Sequence, residues 1–250
     1  METGRSHIYI QVHPGIRKIF PGPDPGSREH AGAQIVTMAL RRANEGGLAN
    51  ILDYIPEEVA VLPNTSGARN AQEAVRIARL AREVCGSDLI KIEIMRDTKY
   101  LLPDNYETVK ATEILAKEGF TVMPYMYPDL NMARDMAEAG AAASCRWGHP
   151  SVPIRGSVQK SLSRSSLMRS ISHHRGRWIG KPSQACEAME MGAAAVMANT
   201  AIATSGDIAA MAGAMKLAVE AGRAAYLAGM GSVRAKGGSA SSPLTGYLRD

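Results

Sequence analysis

The sequence predicts an α/β fold, a (β/α)8 TIM barrel forming a single domain over residues 1–250. Three observations carry that prediction. Short apolar runs alternate with stretches of helical period through most of the chain, joined by brief links, which is the signature of a parallel sheet clothed in helices. No Gly-x-Gly-x-x-Gly follows the first ordered run, which argues against an open dinucleotide-binding sheet. Polar residues recur just past the ends of the apolar runs, where a closed barrel gathers them into one mouth.

Taken in order, residues 1–30 show neither period, and Pro21-Gly22-Pro23-Asp24-Pro25-Gly26 is a cluster of breakers. Regular structure is expected to begin with a strand over 34–40, then a short helix over 48–55 ending before Pro56. A strand over 59–63 delivers the loop Asn64-Thr65-Ser66-Gly67. Residues 71–84 read as a helix with Ala74, Ile77, Ala78 and Ala81 on one face. A strand follows over 88–95, then a helix over 106–118 stopped by Gly119. A strand over 120–125, a helix over 129–139 stopped by Gly140 and the beginning of a strand at 141–143 complete the first run. Regularity resumes at Ile179, with a helix over 182–191, a strand over 194–198 and a long last helix over 207–227.

Apolar residues make up 45% of the chain and aromatic ones only 5%, so aliphatic packing must build the core. No apolar run reaches the ~18 residues of a membrane span. The N-terminus lacks the apolar core of a signal peptide. Cys85, Cys145 and Cys186 have no metal-ligand spacing and are odd in number, which points to a reduced, cytoplasmic compartment. The net charge of +5 is misleading. Residues 144–178 hold seven Lys/Arg, nine Ser and no Asp/Glu, and without them the chain stands at −2.

The strand over 88–95 carries the sharpest chemical signal. Side chains alternate across a strand, so Lys91 and Glu93 share one face while Ile90, Ile92 and Ile94 take the other. Burying both charges costs several kcal/mol unless they are paired or used. A structural ion pair is one reading; a lysine that forms an imine with a carbonyl substrate, beside a proton-moving carboxylate, is the other.

Several segments together resemble bacterial thiazole synthase. They are Leu62-Pro63-Asn64-Thr65-Ser66-Gly67, Ile90-Lys91-Ile92-Glu93, Leu101-Leu102-Pro103-Asp104, Lys181-Pro182-Ser183-Gln184-Ala185, Asn199-Thr200-Ala201-Ile202-Ala203 and Ala240-Ser241-Ser242-Pro243-Leu244-Thr245-Gly246. The resemblance covers about residues 31–143 and 179–250. It implies a (β/α)8 barrel that makes the thiazole phosphate of thiamine. The implied substrates are 1-deoxy-D-xylulose 5-phosphate, dehydroglycine and sulfur carried as the C-terminal thiocarboxylate of a small ubiquitin-like carrier protein. It implies a homo-oligomer, tetramer or dimer, with no cofactor, metal, membrane or nucleic acid. Lys91 would be the Schiff-base lysine and Glu93 an acid/base; Gly148, Gly180, Asn199 and Thr200 would bind substrate. Helix capping alone is the other reading of Asn199-Thr200.

Two segments, about 1–30 and 144–178, depart from the family. Its second acid/base aspartate falls at Gly176, and Val152 replaces a glycine of a phosphate loop. Shifted reading frames offer an explanation. Codons permitted across Ser144 to Val152, read one step on, give Met-Pro-Leu-Gly-(small)-Pro-Ile-Gly. The same shift over Ser166 to Ser172 permits Leu-Asp-Glu-Ile-Asp-Leu. The opposite shift permits Ile-Ile-Val-Asp-Ala over His173 to Trp178 and a first-strand segment over Ile8 to Pro21. On this reading two barrel strands, the first and the one before Ile179, are missing or poorly formed. The alternative is a catalytically dead barrel in which Arg146 to Arg177 form a basic insertion that binds anions or nucleic acid. A lysine-dependent aldolase is a third reading, but it leaves the Asn-Thr and Ser-Ser-Pro motifs unexplained.

Overall fold

A computed structural model describes residues 8–12, 33–39, 52, 55–57, 59–96, 102–127, 129–143, 145–146, 179–193 and 195–229. The strands are β1 (Ile8–Val12), β2 (Ile35–Ala39), β3 (Ala60–Asn64), β4 (Leu89–Ile92), β5 (Thr121–Met126), β6 (Cys145–Arg146) and β7 (Ala195–Ala198). The helices are α1 (Ala71–Cys85), α2 (Asn105–Lys117), α3 (Leu130–Glu138), α4 (Pro182–Glu190), α5 (Thr200–Ala203) and α6 (Ile208–Ala228). One seven-stranded sheet runs in the order β6-β5-β4-β3-β2-β1-β7. Strands β2 to β6 are mutually parallel, each joined to the next by a crossover, as in a (β/α) barrel wall.

The sequence produces this wall by simple rules. Isoleucines 90, 92 and 94 turn outward and pack with Ala74, Ala78 and Ala81 of α1 and Ala111 and Leu115 of α2. Burying each such aliphatic chain contributes ~1.5–3 kcal/mol. The opposite face of the sheet is also apolar at its base, where Ile35, Leu62, Met123, Tyr125, Cys145, Ala195 and Met197 form one cluster. A third cluster joins β7 to α4, α5 and α6 through Val196, Met189, Ile202, Met215 and Val219. Among the described residues, no helix is long and apolar enough to cross a membrane.

Two expectations change. Residues 1–30 were expected to lack a usable strand, yet Ile8-Tyr9-Ile10-Gln11-Val12 forms β1. It lies antiparallel between β2 (Ile10 opposite Ile35) and β7 (Ile10 opposite Met197). Three of its five residues are β-branched and one is aromatic, which favours extended backbone whatever its direction. The strand expected from Ala141 begins later. Ala142 N–H reaches the Val122 carbonyl at 3.0 Å, but regular pairing comes only where Cys145 meets Tyr125. The ends of the ladder are β6 and β7. The strand position before Ile179, and most of the helix expected over 48–55, lie outside the described residues.

Candidate active site

Lys91 and Glu93 stand on the inner face, as alternation requires. Lys91 is 2% exposed, and its Nζ lies 2.6 Å from Glu93 Oε1. Burial pulls the lysine toward the neutral amine, but the charge and hydrogen bond of Glu93 outweigh it and raise its pKa above the ordinary value. The pair thus favours the ammonium form of Lys91, with the Glu93 carboxyl group placed to accept a proton from it.

The surroundings of this pair come from neighbouring strands. Asn64 of β3 sits opposite Lys91 and is itself buried, its Oδ1 accepting the Ser66 N–H at 3.1 Å. The ring of Tyr125, on β5, lies 5.5 Å from the Lys91 ammonium. Burial, reinforced by Glu93, raises the Tyr125 phenol above its usual range. Cys145 enters from β6, and burial pushes its thiol up to about 11. It stays protonated at neutral pH, which leaves Glu93 as the anion facing Lys91. Thr65 binds the backbone of Glu93 through its hydroxyl, at 2.8 Å to the N–H and 3.0 Å to the carbonyl.

Ion pairs surround the start of α2. Arg96 pairs with Asp104 at 2.7 Å, Lys110 pairs with Glu107 at 3.0 Å, and Glu107 accepts the Ala71 N–H at 2.8 Å. This ties the start of α1 to α2.

On the other flank, Asn199 follows β7 and begins α5 without a capping hydrogen bond from its side chain. Its Oδ1 is buried with no partner among the described residues, and so is the Thr37 hydroxyl on β2. Alternation from Ile35 turns Thr37 to the inner face. Thr200 is exposed. Gly180 is exposed as well, and its N–H donates to Gln184 Oε1 at 2.8 Å, so an anion there would compete with that side chain. Gly148 lies outside the described residues. No group of His, Cys, Asp or Glu among the described residues could hold a metal ion.

Sequence reasoning thus brought Lys91 and Glu93 together and put Asn199 at a strand end. It missed Thr65, Tyr125 and Cys145 as neighbours of Lys91 and Glu93. The alternation that places Tyr125 two residues beyond Met123 was available, but only pairing shows that Cys145 stands beside it.

The chain has close relatives. The profile of a family described as "Thiazole biosynthesis protein ThiG" matches residues 26–243. A thiazole synthase from Clostridium beijerinckii is 64% identical over 225 residues, covering 89% of this chain and 87% of that protein. One from Fusobacterium nucleatum is 60% identical over 222 residues, covering 88% and 86%. Among solved structures, the BexX/CysO complex of Amycolatopsis orientalis contains a chain of the same fold. It aligns with a TM-score of 0.65 and 28% identity over 89% of each chain. These matches favour an enzyme over a barrel that only binds anions. The chain belongs to the ThiG family and carries the thiazole synthase function of thiamine biosynthesis.

Proposed function

We propose that this chain builds the thiazole phosphate from 1-deoxy-D-xylulose 5-phosphate, dehydroglycine and a carrier-bound thiocarboxylate, with the sugar held as an imine on Lys91. The observation that carries the reading is the buried Lys91 ammonium at 2.6 Å from Glu93. Glu93 takes a proton from the ammonium, the freed amine adds to the ketone, and water leaves as the imine forms. The imine is an electron sink. It acidifies the neighbouring C–H, and Glu93 shuttles the protons that move the carbonyl along the sugar before sulfur attacks.

The sugar phosphate sits toward Gly148, Gly180, Asn199 and Thr200. In support, α4 begins at Lys181 with no side-chain cap, and Asn199 Oδ1, unpaired among the described residues, can accept a hydroxyl of the sugar. An uncapped helix start favours an anion through its free N–H groups and dipole. Sulfur arrives on a small ubiquitin-like carrier protein; the BexX relative, whose structure is titled as a complex with CysO, supports a protein partner on this fold. The enzyme acts as a homo-oligomer, dimer or tetramer, in the cytoplasm.

Gly176 stands where the family places its second acid/base, so imine formation should outlast turnover in this chain. Borohydride trapping with 1-deoxy-D-xylulose 5-phosphate, followed by peptide mass mapping, tests the reading. Label is expected at Lys91 and is lost in Lys91→Arg, whose guanidinium forms no imine. Label on Lys99 or Lys110 with Lys91 unmodified would overturn it.

A further inference from the structure

The β3–β4 ladder gives out just short of the carboxylate that faces Lys91. Asn64 pairs opposite Lys91, and the Thr65 N–H reaches the Lys91 carbonyl at 3.1 Å. The chain then turns through Ser66 and Gly67, whose φ of +103° suits glycine, and pairing resumes only where Ala68 meets Ile94. Glu93 is left between, its own N–H and carbonyl without a strand residue opposite. One hydroxyl serves both groups. Thr65 Oγ1 accepts the Glu93 N–H at 2.8 Å and donates to the Glu93 carbonyl at 3.0 Å. Thr65 is fully buried, so water is not a ready substitute.

We infer that Thr65 is a positioning residue, whose hydroxyl stands in for a missing strand residue and sets the Glu93 backbone so that its carboxylate meets Lys91. The catalytic meaning of that contact rests on the imine reading; the contact itself does not. A threonine has few χ1 choices, so its oxygen is held where both backbone groups need it. Valine has the same outline and no hydroxyl. In Thr65→Val two buried backbone groups lose their partner, and the backbone of Glu93 must move to satisfy them. Serine keeps the oxygen.

The charged and titratable groups facing Lys91 are Glu93 on its own strand, Tyr125 on β5 and Cys145 on β6; Asn64 on β3 carries no charge. Tyr125 and Cys145 stay neutral near pH 7, so the ammonium depends on Glu93. If Glu93 swings away while Lys91 stays buried, the lysine should titrate about one unit lower or more. A purely structural role would lower stability and leave that titration where it was.

The test is an NMR titration of the full chain with 13C-labelled lysine, the Lys91 signal assigned by its loss in Lys91→Arg. Thr65→Val should shift the Lys91 titration to lower pH, and Thr65→Ser should titrate with the parent. A natively folded Thr65→Val whose Lys91 titrates like the parent overturns the inference. Should Thr65→Val fail to fold, amide hydrogen exchange in the parent decides. Protection of the Glu93 N–H on a par with the other β4 amides supports the inference, and unprotected exchange overturns it. Borohydride trapping is a separate measurement. A parent that fails to trap the sugar sinks the imine reading and leaves the Lys91 titrations to stand or fall by themselves.

Discussion

The two flanks of the barrel wall begin their helices differently. On the flank that carries Lys91, α1, α2 and α3 are capped by Asn70, Asp104 and Asp129. Their side chains accept the N–H groups of Glu73, Glu107 and Met132. Glu107 adds a further acceptor at the start of α1. On the other flank α6 is capped by Asp207, but α4 starts from Lys181 and α5 from Asn199, and neither of those two side chains makes a capping hydrogen bond. A missing cap costs about 1 kcal/mol. The difference separates two tasks. Where the helix starts are closed by the chain itself, the polar groups left over are a lysine and a carboxylate, suited to proton and imine chemistry. Where they are open, the Asn199 oxygen, unpaired among the described residues, suits a hydroxylated ligand.

The largest effect should come from the closed flank. Glu93→Gln keeps the shape of the side chain and removes the proton acceptor. Turnover should fall ~10²–10⁴-fold, while binding of 1-deoxy-D-xylulose 5-phosphate changes little. A loss confined to binding would erase the proposed division of labour.

Next is the joint that holds the open flank. Gly222 lets α6 approach α4 so closely that an added Cβ would lie 2.2 Å from the Cys186 carbonyl oxygen. Gly222→Ala should lower stability by ~1–3 kcal/mol in denaturant unfolding. Parent-like stability would mean that the two helices have room to part.

Smaller still, Asn199→Ala should weaken binding of the sugar phosphate about tenfold to a hundredfold, the range for a hydrogen bond to a charged group. Calorimetry with the unphosphorylated sugar sharpens the point. An equal loss for both ligands would place Asn199 against the sugar rather than the phosphate.

The smallest effect concerns acid. The Ala71 N–H, followed by Lys110, holds Glu107 below its ordinary value. A depressed carboxylate stabilises the fold above its unfolded pKa, about 4.3, and that stability is lost as pH falls through the lower, folded value. Glu107→Gln should flatten the decline in melting temperature below that pH and leave its slope above unchanged. A decline as steep as the parent's would show that Glu107 does not contribute.

Much of this flank was legible because its signals are local. Gly119 and Gly140 stop their helices with φ of +83° and +95°, as a residue free of Cβ strain can. Lys91 and Glu93 meet because they are two apart on one strand. The rest depends on partners distant in the chain. Thr65 reads as an ordinary turn residue until Glu93, 28 positions on, is laid beside it. Glu107 reads as a first-turn acid until Ala71, 36 positions back, donates to it. The β-branched residues of Ile8–Val12 allow extended backbone, but they do not set its direction, which β2 and β7 decide together.

That reversed strand has a consequence for how the sheet meets stray extended chains. β1 is hydrogen-bonded on both sides, so it covers two sheet borders at once with a single short segment. Were a protease to remove the first dozen residues, β2 and β7 would each present a row of bare amides and carbonyls, an invitation to any extended chain nearby. The slot holds a strand running against both of its neighbours. A loose N-terminus from another molecule could fill it as readily as the chain's own.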